Sequence, residues 1–453
     1  MLKIFSRYIP IRSLFLWGTE GLVIVSVIWA AFAWRWSVPQ PGEAAWSDML
    51  SAMSLGLLCQ LSLYYHDLYL GAGSPSWKSV VKILQSIAIA FLIAAALSMV
   101  VPQWRVGGKV MGALLILPLA LVGWRLACAK LLGAHAFERR ILLVGAGSLA
   151  DDVEMALASQ SDPVYTIAVR LPEWPSADAG ASFACLEGLA EGSGIDRVVI
   201  AVGDRRGKLP INELLRCRFS GVAIEDGVSF YERLTGKVHL DALKPSWLIF
   251  SDGFPRSGLA ARGKRAFDLI ASIVGLLALT PLTLLIALLI KLDSPGPVLY
   301  RQERVGRGER PFTLYKFRSM RQDAERSTGP VWAKERDDRV TRVGKWLRLL
   351  RLDELPQLIN VVRGEMSIVG PRPERPCFVD YLKTHIPYYG LRHAVKPGIT
   401  GWAQVRYRYG SSVADTIEKL QYDLCYIKNQ SLTLDATILM DTVKIMLLGS
   451  GAR

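Results

Sequence analysis

Four apolar runs, at residues 13–34, 46–65, 80–101 and 110–131, fill the first third of the 453-residue chain. Each is near the roughly 20 residues that a helix needs to cross the hydrocarbon core of a bilayer. A backbone in lipid must satisfy its own hydrogen bonds, which leaves helices as the form these runs can take. Glu20 and Arg125 interrupt the first and last runs, and the plainest reading of Glu20 is a polar contact between helices. The first run reads as an anchor rather than a cleaved leader, because three more follow it. Lys3, Arg7 and Arg12 precede the first run and Lys130, Arg139 and Arg140 follow the fourth. An even number of spans with basic flanks predicts a multi-pass membrane protein with both ends cytoplasmic.

Composition agrees with this reading. The chain is 51% hydrophobic and carries a net charge of +14, a pairing that points to an anionic membrane surface or to phosphorylated substrates. Nucleic acid is not expected as a partner: the apolar runs already call for a membrane, and no nucleic-acid motif appears. The six cysteines are scattered without a CxxC, as suits a reducing compartment and not a metal centre.

A polar α/β segment follows the runs. Residues 139–144 read as a strand, and Gly145-Ala-Gly147-Ser-Leu-Ala150 as the turn into a helix. A GxGxxA turn after a strand opens a dinucleotide-binding, Rossmann-like fold, in which a phosphate can approach the helix N-terminus. Further strands are expected at 164–171 and 196–202. The acidic residue that would bind a ribose hydroxyl is absent at the end of the second strand, where Arg170 stands and Glu173 is a poor substitute. A domain used for assembly or regulation is therefore the alternative to a nucleotide site.

Residues 251–263 read as a linker. Beyond it, an apolar run at 269–292 contains Thr280-Pro281 at its centre. A proline there removes a backbone hydrogen bond and kinks or breaks the helix, and the Thr280 hydroxyl can partner a freed carbonyl. A kinked transmembrane helix and a re-entrant one compete here; Lys264 and Arg265 on one flank and Lys291 on the other favour both ends lying on one side of the membrane, so a re-entrant helix over 266–292 is expected.

Residues 301–351 hold fifteen Lys and Arg against seven Asp and Glu, a net of +8. Within them PFTLYKFRSM alternates like a strand and places Lys316 and Arg318 on a common face, suited to gripping a diphosphate. Next comes LDELPQLINVVRGEMSIVGPRP at 352–373. Its adjacent carboxylates, Asp353 and Glu354, lie in an electropositive setting, where a carboxylate stays ionised and can attack phosphorus or bind a divalent metal. A helix N-cap explains Asp353 equally well on spacing alone. The turn Gly370-Pro371-Arg372-Pro373 offers a second place for an anion.

Together these residues carry a resemblance. KRAFD with its apolar run, SPGPVLYRQERVG, YKFRSM, LDELPQLINVVRGEMSIVGPRP and KPGITGWAQV occur in order over some 170 residues. They resemble the bacterial sugar transferase family, the monotopic polyprenyl-phosphate sugar-1-phosphate transferases. Thr280 stands where that family commonly has Ser before the proline, and in RYRYG only Arg408 fits the arginine usual there. The resemblance implies transfer of a sugar-1-phosphate from a UDP-sugar to undecaprenyl phosphate with release of UMP, the initiating step of exopolysaccharide or related glycoconjugate synthesis. It implies Asp353 as the nucleophile of a covalent aspartyl phosphosugar, and Glu354 with Asp353 as holders of Mg²⁺ (or Mn²⁺). Lys316, Arg318, Arg372 and Arg408 become phosphate and nucleotide contacts, and the lipid bilayer and a homodimer the partners.

The expected fold is thus a membrane protein: four transmembrane helices at 1–135, an α/β Rossmann-like domain at 136–250, the linker, and an α/β catalytic domain at 264–453 on the cytoplasmic face. Two other functions compete with this one. A sugar-nucleotide-modifying Rossmann enzyme would carry a Tyr-x-x-x-Lys that the middle segment lacks. A non-catalytic scaffold for polysaccharide assembly gives no reason for Asp353-Glu354 beside an arginine cluster.

Overall fold

A computed structural model describes residues 2–4, 7–9, 11–33, 43–69, 76–100, 108–132, 139–159, 164–172, 194–202, 209, 211–243, 258–322, 339–407, 410 and 412–448. The chain forms two compact units, one of Met1–Ile4 and Tyr8–Gly227, the other of Phe5–Arg7 and Val228–Arg453.

The apolar runs of the first unit are helices α1 (Ile11–Ala33), α2 (Glu43–Tyr65), α3 (Trp77–Val100) and α4 (Gly108–Leu132). They bury a shared core that includes Ile24, Ile28, Cys59, Leu63, Ile83, Ile87, Leu117 and Leu121. Their outward faces carry exposed Leu22, Trp29, Leu92 and Leu119, the inverse of a water-soluble bundle and the arrangement a lipid solvent favours. Glu20 is the helix–helix contact the sequence suggested. Arg125 of α4 donates from Nε and Nη2 to its two oxygens at 2.6 and 3.0 Å, and Trp124 Nε1 donates to Thr19 Oγ1 at 3.1 Å. Among the described residues, the stretches long and apolar enough to cross a membrane lie at Ser13–Ala31 and Trp77–Met99 in this unit and at Leu259–Asp293 in the second.

The same unit holds a parallel four-stranded sheet. Its strands are β1 (Arg139–Val144), β2 (Tyr165–Leu171), β3 (Arg197–Ile200) and β4 (Ala223–Asp226), in the order β2-β1-β3-β4. Helix α5 (Ser148–Ala158) follows β1 as the GxGxxA turn requires. Gly145 sits at φ +143°, and a Cβ there would collide with the backbone of Ala201, so this glycine serves strand packing. Arg170, where an acidic ribose ligand was sought, pairs with Asp151 and Glu154 of α5. Glu173 lies outside the described residues.

In the second unit, residues 228–243 pack on the α/β body that follows them, although the sequence placed them in the Rossmann-like segment. Val238, Leu240 and Leu243 share a core with Trp402, Leu420 and Leu424. Trp402 Nε1 donates to the Gly236 carbonyl at 2.7 Å, and Lys428 pairs with Glu232 at 2.7 Å. These partners come from sequence more than 160 positions away, which local patterning does not reveal.

Helix α6 (Leu259–Asp293) starts earlier than the sequence suggested, taking in five residues of the expected linker. The helical run continues through Thr280 and Pro281, so the proline does not break it. The proline leaves the Leu277 carbonyl without its amide, while the Thr280 hydroxyl donates to Leu276, one residue earlier, at 2.7 Å. Both ends of α6 are fastened to the same body. At the start, Lys264 pairs with Asp435 at 2.6 Å, Arg265 donates to the carbonyls of Val361 and Val362, and Asp268 accepts from Ser367 Oγ at 2.8 Å and the Ile368 amide at 3.2 Å. At the far end Asp293 accepts from the Val343 amide at 3.2 Å, and Ile286 and Ile290 are buried with Phe317 and Leu347. Between these anchors Leu277 and Leu284 are 71% and 66% exposed.

The body itself contains the antiparallel hairpin β5 (Leu299–Val305) and β6 (Pro311–Phe317), then α7 (Arg342–Leu349), α8 (Gln357–Arg363) and the parallel pair β7 (Ser367–Val369) and β8 (Gly398–Thr400). Helices α9 (Trp402–Arg406), α10 (Val413–Lys428) and α11 (Leu432–Leu448) complete it.

Candidate active site

The acidic pair is presented by a sharp reversal. Helix α7 ends at Leu349, and Arg351 takes the left-handed conformation with φ +54°. That turn throws Leu352–Glu354 into a single 3₁₀ turn ahead of α8. The N-cap positions of this turn and of α8 are Arg351 and Pro356, and neither helix start has a side-chain cap bond. Asp353 is therefore not the helix cap that its spacing allowed.

Three segments converge on the pair. Strand β6 brings Lys316, held in register because Asn360 of α8 accepts from the Tyr315 amide at 3.1 Å and donates to the Thr313 carbonyl at 2.7 Å. The Gly-Pro-Arg-Pro turn brings Arg372. That turn is sewn down by backbone bonds from Gly370 to Thr400 and from Gly398 to Pro371, both 2.9 Å. A Cβ on Gly370, Gly398 or Gly401 would meet the opposing backbone, which is why both motifs are rich in glycine here. Behind the turn, buried Arg392 donates to the Arg372 carbonyl at 2.9 Å, to Tyr389 Oη at 2.6 Å and to Asp423 at 3.0 Å. Helix α9 brings Gln404, whose Oε1 accepts from Arg351 at 3.4 Å and Arg372 at 3.3 Å. Its Nε2 is buried without a hydrogen-bond partner.

Within this frame the two carboxylates differ. Glu354 is buried, and both Lys316 Nζ at 3.1 Å and Arg372 Nη2 at 2.8 Å donate to its Oε1. Burial by itself would raise its pKa, but Arg372, Lys316 and Arg351 outweigh that and hold the group well below the usual carboxylate range. Asp353 is half-buried, and its carboxylate accepts no hydrogen bond among the described residues. Burial pushes its pKa upward, Lys316 and Arg372 pull it down, and Glu354 pushes it up again, with a net rise. The common electropositive setting thus keeps Glu354 ionised and leaves Asp353 the more basic carboxylate, a finer division than the sequence implied.

Lys316, Arg372, Asp353 and Glu354 are accordingly brought together. Arg318 is not: it sits just past the end of β6 and donates to the carbonyls of Ile290, Ser294 and Pro295 and to Ser294 Oγ, at 2.7–3.3 Å, closing the C-terminal end of α6. Arg408 lies outside the described residues. Sequence reasoning missed Arg351, Arg392 and Gln404. The last lies inside the KPGITGWAQV segment, where its amide carried no chemical signal of its own. Among the described residues no three His, Cys, Asp or Glu side chains group as a metal cage.

The family model for bacterial sugar transferases matches residues 259–449. A UDP-N-acetylgalactosamine-undecaprenyl-phosphate N-acetylgalactosaminephosphotransferase of Aeromonas hydrophila is 46% identical over 240 residues, covering 53% of this chain and 56% of its own. An undecaprenyl-phosphate glucose phosphotransferase of Komagataeibacter xylinus is 37% identical over 317 residues, 68% of this chain and 58% of its own. A UDP-glucose:undecaprenyl-phosphate glucose-1-phosphate transferase of Caulobacter vibrioides is 45% identical over 197 residues, 43% of this chain and 72% of its own. The chain thus spans little more than half the length of the first two relatives.

Proposed function

The chain belongs to the bacterial sugar transferase family, and from that premise we propose that it moves a sugar-1-phosphate from a UDP-sugar to undecaprenyl phosphate, releasing UMP and initiating synthesis of an exopolysaccharide or related glycan. The observation that carries this reading is the unequal carboxylate pair: Glu354 locked between Lys316 and Arg372, with Asp353 beside it accepting no hydrogen bond among the described residues. The names of the relatives supply the substrate class.

A carboxylate oxygen of Asp353 attacks the β-phosphorus of the UDP-sugar. The bond from that phosphorus to the bridging oxygen breaks, and the oxygen leaves with its electron pair as part of UMP. The product is an aspartyl phosphosugar, an acyl phosphate. A phosphate oxygen of the polyprenyl phosphate then attacks the same phosphorus and returns Asp353 as a carboxylate, giving a polyprenyl-diphospho-sugar. Lys316 and Arg372 screen the phosphoryl oxygens that would otherwise repel Asp353. Glu354 fixes both cations, and Arg351 and Gln404 fix the far side of Arg372. Two adjacent carboxylates suit Mg²⁺ or Mn²⁺, which is commonly held by one or two protein carboxylates and phosphate oxygens. Held by Glu354 and Asp353, such an ion would neutralise the diphosphate and improve the leaving group.

The membrane reading follows the same line. Helices α1–α4 form four spans, and α6 is a re-entrant helix that enters and leaves on the cytoplasmic side. What supports re-entry is the fastening of both ends of α6 to one α/β body while its middle exposes leucines. Asp353 then sits at headgroup depth, where a lipid phosphate resides. Replacing Asp353→Asn tests the reaction: UMP release from a UDP-sugar with undecaprenyl phosphate is expected to vanish, and full retained activity would overturn the covalent route. Assaying a panel of UDP-sugars identifies the hexose.

A further inference from the structure

Lys396 lies half-buried in the loop that leads into β8, and it makes no ion pair or hydrogen bond among the described residues. Buried or half-buried charges are ordinarily paired, because desolvation otherwise disfavours them. Its surroundings are cationic as well. Burial first, then Arg265, Arg307 and Lys264, lower its pKa, and Asp268 opposes them. That carboxylate is already occupied: Ser367 Oγ and the Ile368 amide donate to it, and Lys264 stands at 3.9 Å.

Gly364 gives the geometry. It ends α8 in the left-handed conformation with φ +86°, and the point where a Cβ would stand is 3.4 Å from Arg265 Nη2 and 3.6 Å from Lys396 Nζ. The two nitrogens therefore stand close to one point beside the glycine, where no side chain intervenes. Their separation is short enough for a single phosphate to bridge with a hydrogen bond to each. Arg265 uses one N–H of each terminal nitrogen on Val361 and Val362 and has others left to donate. Arg307, on the turn of the β5–β6 hairpin, lies near enough to add a third cation to the field at Lys396. This cluster lies beside the first turns of α6, whose Phe267 and Ile270 are exposed apolar residues suited to an acyl or prenyl chain.

We propose that Lys396, Arg265 and Arg307 form a binding site for the phosphate of a membrane lipid at the base of α6, separate from the Asp353–Glu354 pair. The phosphate supplies the missing counter-charge, and the lipid chains run along the apolar start of the helix. The site fixes the depth at which α6 meets the membrane. It does not depend on the proposed reaction.

The test is native mass spectrometry of the full chain in nonionic detergent, titrated in separate arms with phosphatidylglycerol, undecaprenyl phosphate and inorganic phosphate. The expected result is a retained lipid whose affinity falls about tenfold in Lys396→Met, the loss expected for one charge-assisted bond, and is largely kept in Lys396→Arg. Equal lipid retention in Lys396→Met overturns the proposal, and saturation by inorganic phosphate alone at the same concentration overturns its lipid part. Preference between the two lipids identifies which one occupies the site. Should the variants fail to fold, ¹³C-methylated lysine resonances of the wild-type chain decide it. The Lys396 pKa must rise when phosphatidylglycerol or undecaprenyl phosphate is added, and an unmoved pKa with both overturns the proposal.

Discussion

Glu354 is the residue whose structural and chemical roles can be separated most cleanly. Glu354→Gln keeps the shape of the side chain and removes the one negative charge between Lys316 and Arg372, whose nitrogens stand 3.1 and 2.8 Å from its Oε1. Removing one partner from a buried ion pair costs about 3–5 kcal/mol, since the other charge is left uncompensated. Here Lys316 and Arg372 are 18% and 29% exposed, so water relieves part of that cost and the low end, about 3 kcal/mol, is expected. For a unit of this size that corresponds to a fall in Tm of roughly 6–12 °C, readable by differential scanning fluorimetry in detergent. The double variant Lys316→Met, Glu354→Gln removes the uncompensated lysine, so it should recover a third or more of the lost stability while UMP release stays abolished. A Glu354→Gln protein with unchanged Tm would refute the burial argument. A double variant less stable than Glu354→Gln alone would refute the claim that Lys316 is held there by this carboxylate.

Other consequences are more quickly stated. Gln404→Leu removes the acceptor shared by Arg351 and Arg372 and should lower kcat/KM about tenfold, while Gln404→Glu, which keeps an acceptor, retains more activity; steady-state kinetics distinguishes them. Arg318→Met strips the end of α6 of its donors and should lower the Tm by several degrees, with KM for the UDP-sugar unchanged in the folded fraction, because Arg318 faces helix carbonyls. The nucleophilic form of Asp353 is the carboxylate and its pKa is raised. The pH–kcat/KM profile should therefore fall on the acid side through a value above the ordinary aspartate pKa of about 3.9. Lys316→Met, which removes a charge that lowers that pKa, moves the limb to higher pH. In the helical bundle, Glu20→Gln should destabilise more than the pair Glu20→Gln, Arg125→Met, since the single change strands a buried arginine; unfolding in detergent measures both.

Much of this site was legible because its parts are local. The strand at 139–144 and the turn into α5 fall where the apolar run and the glycines put them. Lys316 meets Glu354 because strand alternation aims it, and Arg372 does so because a rigid Gly-Pro-Arg-Pro turn follows closely in sequence. Alternation misled for Arg318, which lies one residue beyond β6, where the pleat no longer dictates direction and the open carbonyls of α6 compete for it. The packing of residues 228–243 on Trp402, and the place of Gln404 between two arginines, depend on contacts between distant segments, which periodicity does not encode. The sequence alone points to an interruption at Pro281 because its lost hydrogen bond is local. The helix persists because a proline φ is itself helical, and the remaining bonds on either side hold the turn.

The central claim is that Asp353 carries the sugar phosphate. Incubating the chain with a UDP-sugar in the absence of polyprenyl phosphate, quenching, and mapping peptides by mass spectrometry tests it directly. The account predicts a hexose-phosphate adduct on the peptide containing Asp353, absent in Asp353→Asn and discharged when undecaprenyl phosphate is added. Turnover at the full rate with no adduct on Asp353 at any time would contradict it.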